Sequence, residues 1–290
     1  MGYKIYTDAS ADISDELMRD VPSIEMIPMD VELDGQPYLY GPGGNLDNKT
    51  LYAAQRAGKY ASTSQINPVI YKEYFRKSLE KGEDVIYLGL TQGISGSFMS
   101  ASLAIDDLKE QYPDRKITAV ETYCAAVGLG MLVHEAARMQ AKGLSFEELV
   151  AWIEAHRLNI CHWFTVDLFD HLRHGGRVSG AAAAVGSLLN IKPLLHIEND
   201  GTLKVIEKPR GRKQAIRHQI AHMREDWIPD ELGNLVVIGH GDDEEALEQC
   251  REAVLAEFPN ADIRTACIGA LIGAHTGPGM LALIYWGKKR

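Results

Sequence analysis

The sequence predicts an α/β protein in two parts: an N-terminal, mostly parallel, doubly wound sheet over residues 1–160 and a C-terminal α/β domain with a mixed or antiparallel sheet over residues 161–290. Three observations predict it. Short β-type runs alternate with helical stretches through the first half, the rhythm of a parallel sheet covered on both faces. From about residue 160 the texture changes to separate β-like pieces, H-W-F-T-V-D, K-P-L-L-H-I-E, T-L-K-V-I-E-K, L-V-V-I-G-H-G, I-R-T-A-C-I-G and L-A-L-I-Y-W-G, with helices between them. A chain of 290 residues, 46% of them hydrophobic, also exceeds one ordinary domain.

The elements follow in order. Residues 3–7 (Y-K-I-Y-T) form a short strand that ends in the polar turn D-A-S-A-D, and residues 16–21 read as a helix entry. Residues 24–44 hold Pro28, Pro37 and Pro42 around M-D-V-E-L-D-G-Q, so a small β excursion over about residues 24–60 is expected rather than a helix. Helix is predicted over 71–81 and 97–112, and strand over 84–90 and 117–121. A helix rich in Ala, Met and Leu comes next. Ligands of such sheets sit beyond the carboxyl ends of the strands, so the loops there are where a site is sought.

Composition narrows the function. The longest apolar runs are too short to span a bilayer, and the N-terminus reads directly into a strand, so a cytoplasmic protein is expected. Cys124, Cys161, Cys250 and Cys267 are widely separated with no C-x-x-C spacing, which argues against zinc and against a disulfide framework. A formal net charge of −10 argues against nucleic acid, whose phosphates need a positive face. Residues 204–224 are the basic exception. They form either a solvated helix face or a docking patch for an acidic or phosphorylated partner, with Arg210, Arg212 and Lys213 the residues to test.

Four polar clusters stand beside predicted strand or helix ends. Ser62, Thr63, Ser64 and Gln65 either cap the helix that begins near Pro68 or aim neutral donors at a carboxylate. G-I-S-G-S-F, residues 93–98, follows a strand and opens a helix, so Gly96, the helix N-terminus and the Ser95 hydroxyl can meet an anion. In H-G-G-R-V-S-G, residues 174–180, Arg177 sits in a rigid turn suited to a carboxylate or phosphate, or clamps loop carbonyls. It leads to S-L-L-N-I-K-P-L-L, residues 187–195, which reads as a buried strand entrance with polar anchors. In I-G-A-H-T-G-P-G, residues 272–279, His275 lies among small residues that leave it open to a ligand.

Taken together, T-S-Q at Thr63, S-G-S-F at Ser95, G-G-R-V-S at Gly175, L-L-N-I-K-P-L-L at Leu188 and G-A-H-T-G-P-G at Gly273 resemble the signature segments of the DegV family, in family order. The opening turn with Asp8, Ser10 and Asp12 is similar to that family's too. The resemblance implies one long-chain fatty acid in an apolar tunnel between two α/β domains, and no further cofactor. It implies that Thr63, Ser64, Ser95 and Gly96 hold the carboxylate, with Arg177 and His275 near the head group. It also implies a fatty acid kinase as partner, with the protein itself non-catalytic. The chain departs from the family at Ser97-Phe98, where Thr-Tyr is common, and at Glu121-Thr122, where Asp-Ser is common.

Two rival readings remain at this stage. Ser95 with His275 would suit a serine hydrolase of lipids or esters, although G-x-S-x-G is absent. A dihydroxyacetone-kinase-like small-molecule binder is the other, although a P-loop is absent.

Overall fold

In the computed structural model, which describes residues 2–178, 190–288 and 290, the chain begins with strand β1 (Tyr3–Asp8). One 3-10 turn, Ala9–Ala11, follows, and the Asp8 carboxylate caps it by accepting from the Ser10 N–H. Helix α1 (Asp15–Met18) is a single turn capped by Ser14, shorter than the predicted stretch. Pro22 gives the reason, since the residue before a proline is pushed out of helical geometry. Strand β2 (Glu25–Ile27) then pairs in parallel with β1 and so belongs to the main sheet.

The β excursion comes after it. Strands β3 (Met29–Leu33) and β4 (Gln36–Tyr40) form a hairpin across Asp34-Gly35, both at positive φ as a tight two-residue turn requires. Helix α2 (Asn48–Arg56) and strand β5 (Ala61–Thr63) complete it, with β5 antiparallel to β3. Helix α3 (Pro68–Leu79) is capped by Asn67, whose side chain accepts from Val69 and Ile70 while Pro68 fills the first turn. The cap expected from the Ser62–Gln65 hydroxyl run is therefore supplied one step later.

Strand β6 (Asp84–Gly89), helix α4 (Ser97–Gln111), strand β7 (Ile117–Glu121) and helices α5 (Ala126–Ala141) and α6 (Phe146–His156) finish the first half. The first sheet has the order β2-β1-β6-β7 and is wholly parallel. Gly128 and Gly130 lie inside α5, not in a nucleotide-binding turn.

Strand β8 (Ile160–Thr165) opens the second sheet, followed by the short helix α7 (Asp170–His174) and strands β9 (Leu194–Ile197) and β10 (Leu203–Glu207). Next come α8 (Arg212–Asp226), the turn-length α9 (Pro229–Leu232), β11 (Leu235–His240), α10 (Glu244–Glu257), β12 (Asp262–Cys267), α11 (Ala270–Thr276) and β13 (Leu281–Trp286). The order is β10-β9-β8-β13-β11-β12, antiparallel except for β11 with β12. This is the mixed sheet that the change of texture predicts. Residues 179–189, which include Ser179, Gly180 and the stretch from Ser187 to Leu189, lie outside the described residues.

Helix α5 joins the two sheets. Residues 126–137 of it are all buried, and it packs on β1 and β6 on one side and on β8, β11 and β13 on the other. A helix buried on every face needs cover on every side, and two sheets supply it. One core consequently runs from Ile5, Ile86 and Leu88 through α5 to Phe164, Leu195, Val237 and Ala282. Among the described residues no helix is long and apolar enough to cross a membrane.

Candidate functional site

Between the start of α5 and the inner face of the second sheet the core opens into a cavity, with roughly 980 Å³ of space between its lining atoms, open solvent at the mouth included. Its inner walls are apolar. Leu90 and Ile94 come from the loop after β6, Ala125 and Ala126 from the entry to α5, and Phe164, Ile197, Ala282 and Ile284 from alternate positions of β8, β9 and β13. Met29, Leu172, Leu271 and Met280 close the sides.

The polar lining is concentrated in a few loops. Thr63, Ser64, Gln65, Ser95, Gly96, Arg177 and His275 all line the cavity, so the structure gathers every expected head-group residue around one space. Ser95, Gly96 and Arg177 also border an adjoining surface groove, which locates the mouth.

Strand β5 carries Thr63, and its Oγ1 lies 2.8 Å from His275 Nε2 on α11. The backbone of Gly175 lies against the other side of that imidazole: a Cβ built there would come within 2.2 Å of His275 Nδ1. Nδ1 has no hydrogen-bond partner, so the proton is better placed on Nε2, where Thr63 can accept it. Thr63 then keeps its own hydroxyl proton for a ligand. Burial, with Arg177 and two neighbouring histidines, holds His275 down to about 4, so the ring is neutral at physiological pH.

The loop after β6 approaches from the other side. Gly96 opens α4, and the Ser97 N–H donates to Ser95 Oγ at 3.2 Å. The exposed Gln65 side chain lies over Gly96, its Oε1 1.9 Å from where a Cβ would stand, so a larger residue there would push Gln65 aside. Arg177 ties the two halves of the rim together, donating to the Gly175 carbonyl and, through Nε at 3.3 Å, to the Ile94 carbonyl. It is thus a clamp of loop carbonyls that also faces the cavity. No carboxylate pairs with it among the described residues.

This geometry does not assemble a hydrolase. Ser95 donates to Ser97 at 3.2 Å, His275 Nε2 is engaged by Thr63, and among the described residues no acid orients the imidazole.

The expected docking residues divide. Arg210 and Lys213 are exposed. Arg212 is not free for a partner: its guanidinium donates to Asp167 and the Gly279 carbonyl and lies 3.5 Å from Asp243. Only 15% of that side chain is exposed, so it acts as a structural ion-pair centre. Of the thiols, Cys124, Cys161 and Cys250 are buried and Cys267 is partly so.

Sequence reasoning did not find the cavity walls. It also missed His162 at the inner wall, whose neutral ring donates from Nδ1 to the Ile160 carbonyl at 2.9 Å. The signal available was a histidine inside the β run H-W-F-T-V-D.

The family model described as "Uncharacterised protein, DegV family" matches residues 3–288. The chain belongs to the DegV family. A DegV domain-containing protein of Clostridium perfringens is 35% identical over 289 residues, 99% of this chain and 98% of the relative. Among solved structures, a DegV family protein from Thermus thermophilus, described for its fatty acid binding, is 28% identical with a TM-score of 0.86, covering 99% of this chain and 100% of that one. The fatty acid kinase B3 protein of Streptococcus pneumoniae, loaded with linoleic acid, is 25% identical with a TM-score of 0.85, covering 99% of each chain. The parallel first sheet and mixed second sheet are thus the DegV architecture.

Proposed function

We propose that this DegV protein binds a single long-chain fatty acid, its tail in the cavity and its carboxyl group at the mouth. Thr63, Ser64 and Ser95 would hold the carboxylate with the Gly96 backbone at the start of α4, while Arg177 and His275 stand beside it. The observation that carries this reading is the pairing of an apolar cavity with a rim of hydroxyls at its opening. The fatty acids in the related structures support it.

The reading treats residues 1–160 and 161–290 as two domains that close on the ligand. It treats the protein as a non-catalytic cytoplasmic carrier that offers the acid to a fatty acid kinase, with Arg210 and Lys213 in the docking surface. The name of the pneumococcal relative supports the kinase link.

Native mass spectrometry of freshly purified protein tests the carrier, because one co-purified fatty acid per chain is expected. Ser95→Ala should weaken its binding by about 1–3 kcal/mol, the cost of an unmet buried acceptor. Ligand-free protein that takes up no added fatty acid would refute the function, and unchanged affinity in Ser95→Ala would remove that hydroxyl from the site.

A further inference from the structure

The opening turn holds two buried carboxyls that the binding site does not use, Asp8 and Asp12. Asp8 is fully buried among hydrogen-bond donors: the Ser10 N–H at 3.0 Å, the Ser10 hydroxyl, the Leu90 N–H, and Tyr87 OH at 2.5 Å. No cation accompanies it among the described residues.

From Asp8 a file of hydroxyls runs to the mouth of the cavity. Tyr87 OH lies 2.8 Å from Tyr71 OH, Ser97 is the next hydroxyl beyond Tyr71, and Ser97 Oγ lies 3.2 Å from Ser95 Oγ. Tyr87, Tyr71 and Ser97 are fully buried, so water does not interrupt the file.

Each of these hydroxyls carries one proton, so the file can point only one way at a time. When Asp8 is ionised it accepts from Tyr87. Tyr87 then accepts from Tyr71, Tyr71 from Ser97 and Ser97 from Ser95, which turns a lone pair of Ser95 toward the mouth. When Asp8 holds a proton, every hydroxyl can reverse, and Ser95 offers its proton outward.

We propose that Asp8 sets the polarity of this file, and that seating a fatty acid carboxylate at Ser95 draws one proton from solvent onto Asp8. The inference rests on the proposed placement of the carboxylate at Ser95. The balance is simple: the ligand arrives with its negative charge, Asp8 loses its own, and the bound site keeps a single anion. Burial favours the same outcome, since it raises the proton affinity of Asp8.

The other groups around Asp8 are acidic or neutral. Tyr87 on β6 and Tyr71 on α3 belong to the file. Asp12 follows in the same turn, accepts from Gly269 N–H at 2.9 Å through Oδ1 and leaves Oδ2 without a partner. Burial raises the proton affinity of Asp12 as well, and the neighbouring Asp8 charge adds to it. Among the described residues Asp12 is therefore the competing carboxyl, and it needs its own variant.

The test is calorimetric titration of palmitate into delipidated protein, in buffers of different ionisation enthalpy, across a pH series from mildly acidic to mildly basic. The wild-type chain should take up about one proton per ligand within a window of that series, with affinity rising up to ~10-fold per pH unit of acidification there. Asp8→Asn, whose amide can donate to Tyr87 as a protonated carboxyl would, should bind palmitate without that uptake. Asp12→Asn should keep it. Tyr71→Phe, checked for folding by its melting transition, should lose it because the file is cut.

Uptake that persists in Asp8→Asn would place the proton on the ligand and overturn the proposal. So would uptake lost in Asp12→Asn, full uptake in folded Tyr71→Phe, or pH-independent binding by the wild type. Failure of the wild type to bind palmitate at any pH would instead refute the carrier reading on which the proposal stands.

Discussion

Gly175→Ala isolates the head-group geometry, because it adds one methyl group and nothing else. Gly175 sits at φ −71° and ψ −13°, where alanine is at ease, so the backbone adds no strain. The new Cβ would stand 2.2 Å from His275 Nδ1, 3.1 Å from Cε1 and 3.2 Å from Cγ. Ordinary contact requires the ring to retreat by about 1 Å or more, and His275 is held on α11, which packs on β5, α2 and α7. Gly175 and Thr63 stand at opposite edges of the ring, so a straight retreat would drive Nε2 into Thr63 Oγ1, 2.8 Å away at rest; the ring must rotate instead, which takes Nε2 out of line with that hydrogen bond. Losing it costs about 0.5–1.5 kcal/mol, and overpacking adds about 1–3 kcal/mol of destabilisation. Binding suffers separately, since Thr63 is no longer held in place to donate: a roughly 10-fold loss of fatty acid affinity corresponds to about 1.4 kcal/mol. Calorimetry for affinity and chemical denaturation for stability read the two effects apart. Unchanged affinity in a folded Gly175→Ala protein would refute the claim that the His275 ring positions Thr63.

Three further outcomes are expected. Ala282→Phe places a ring in the cavity opposite Phe164, and should abolish fatty acid co-purification with little loss of melting temperature; a full complement of lipid in the variant would mean that the tail runs elsewhere. Reversing Arg210 and Lys213 to Glu should impair phosphorylation of the bound acid by a partner kinase while leaving lipid affinity intact, whereas Arg212→Glu should cost about 1.5–3 kcal/mol of stability, because it removes charged hydrogen bonds and sets a third carboxylate beside Asp167 and Asp243, with Lys192 left to pair Asp167; equal stability of the two sets would disprove the structural role of Arg212. Stability should fall as pH drops below about 6.5, because burial lowers His275 to about 4 and His196 to about 3, so the unfolded chain binds their protons first. By pH 5 the loss is on the order of 1–2 kcal/mol per histidine, opposed by the raised carboxyls Asp8, Asp12 and Asp226. His196→Gln should flatten the curve by that amount in urea titrations, and an unaltered slope would contradict the burial argument.

What the sequence made legible follows from where the physical signal is local. Strand β7 coincides with the predicted residues because a β-branched run ends there in a polar turn. The helix start at Pro68 was equally local, yet the cap is Asn67, for Asn followed by Pro is a stronger helix-entry pattern than the hydroxyl run before it. That freed Thr63 for its strand and its histidine. The partners of Arg212 were not legible: Asp167 lies 45 residues away, and only the fold brings them together. Nor were the cavity walls, because β8 and β13 are buried along their whole length and show no alternation. Phe164 and Ala282 face the cavity through strand register, which composition does not encode.

The division of labour between tail and head group can be decided on magnitudes. Burying a chain of about sixteen carbons at ~0.8 kcal/mol per methylene contributes roughly 10 kcal/mol before association costs. The head group then has only to avoid being left unsatisfied. An ion pair deep in the mouth would add a desolvation cost of several kcal/mol per charge and would hold the carboxylate against removal. The rim limits this: His275 is neutral, and Arg177 turns Nε and one Nη1 N–H to the carbonyls of Ile94 and Gly175, which holds the guanidinium to the loops beside the hydroxyls. Hydroxyls at Thr63 and Ser95 can turn from donor to acceptor within the same geometry, so a head group that changes charge or gains oxygens can still be met. Under the proposed carrier function, adaptable neutral donors at the opening and strong apolar grip on the tail would separate retention from hand-over. Exchanging Thr63 for a fixed charge should therefore slow transfer even where it tightens binding.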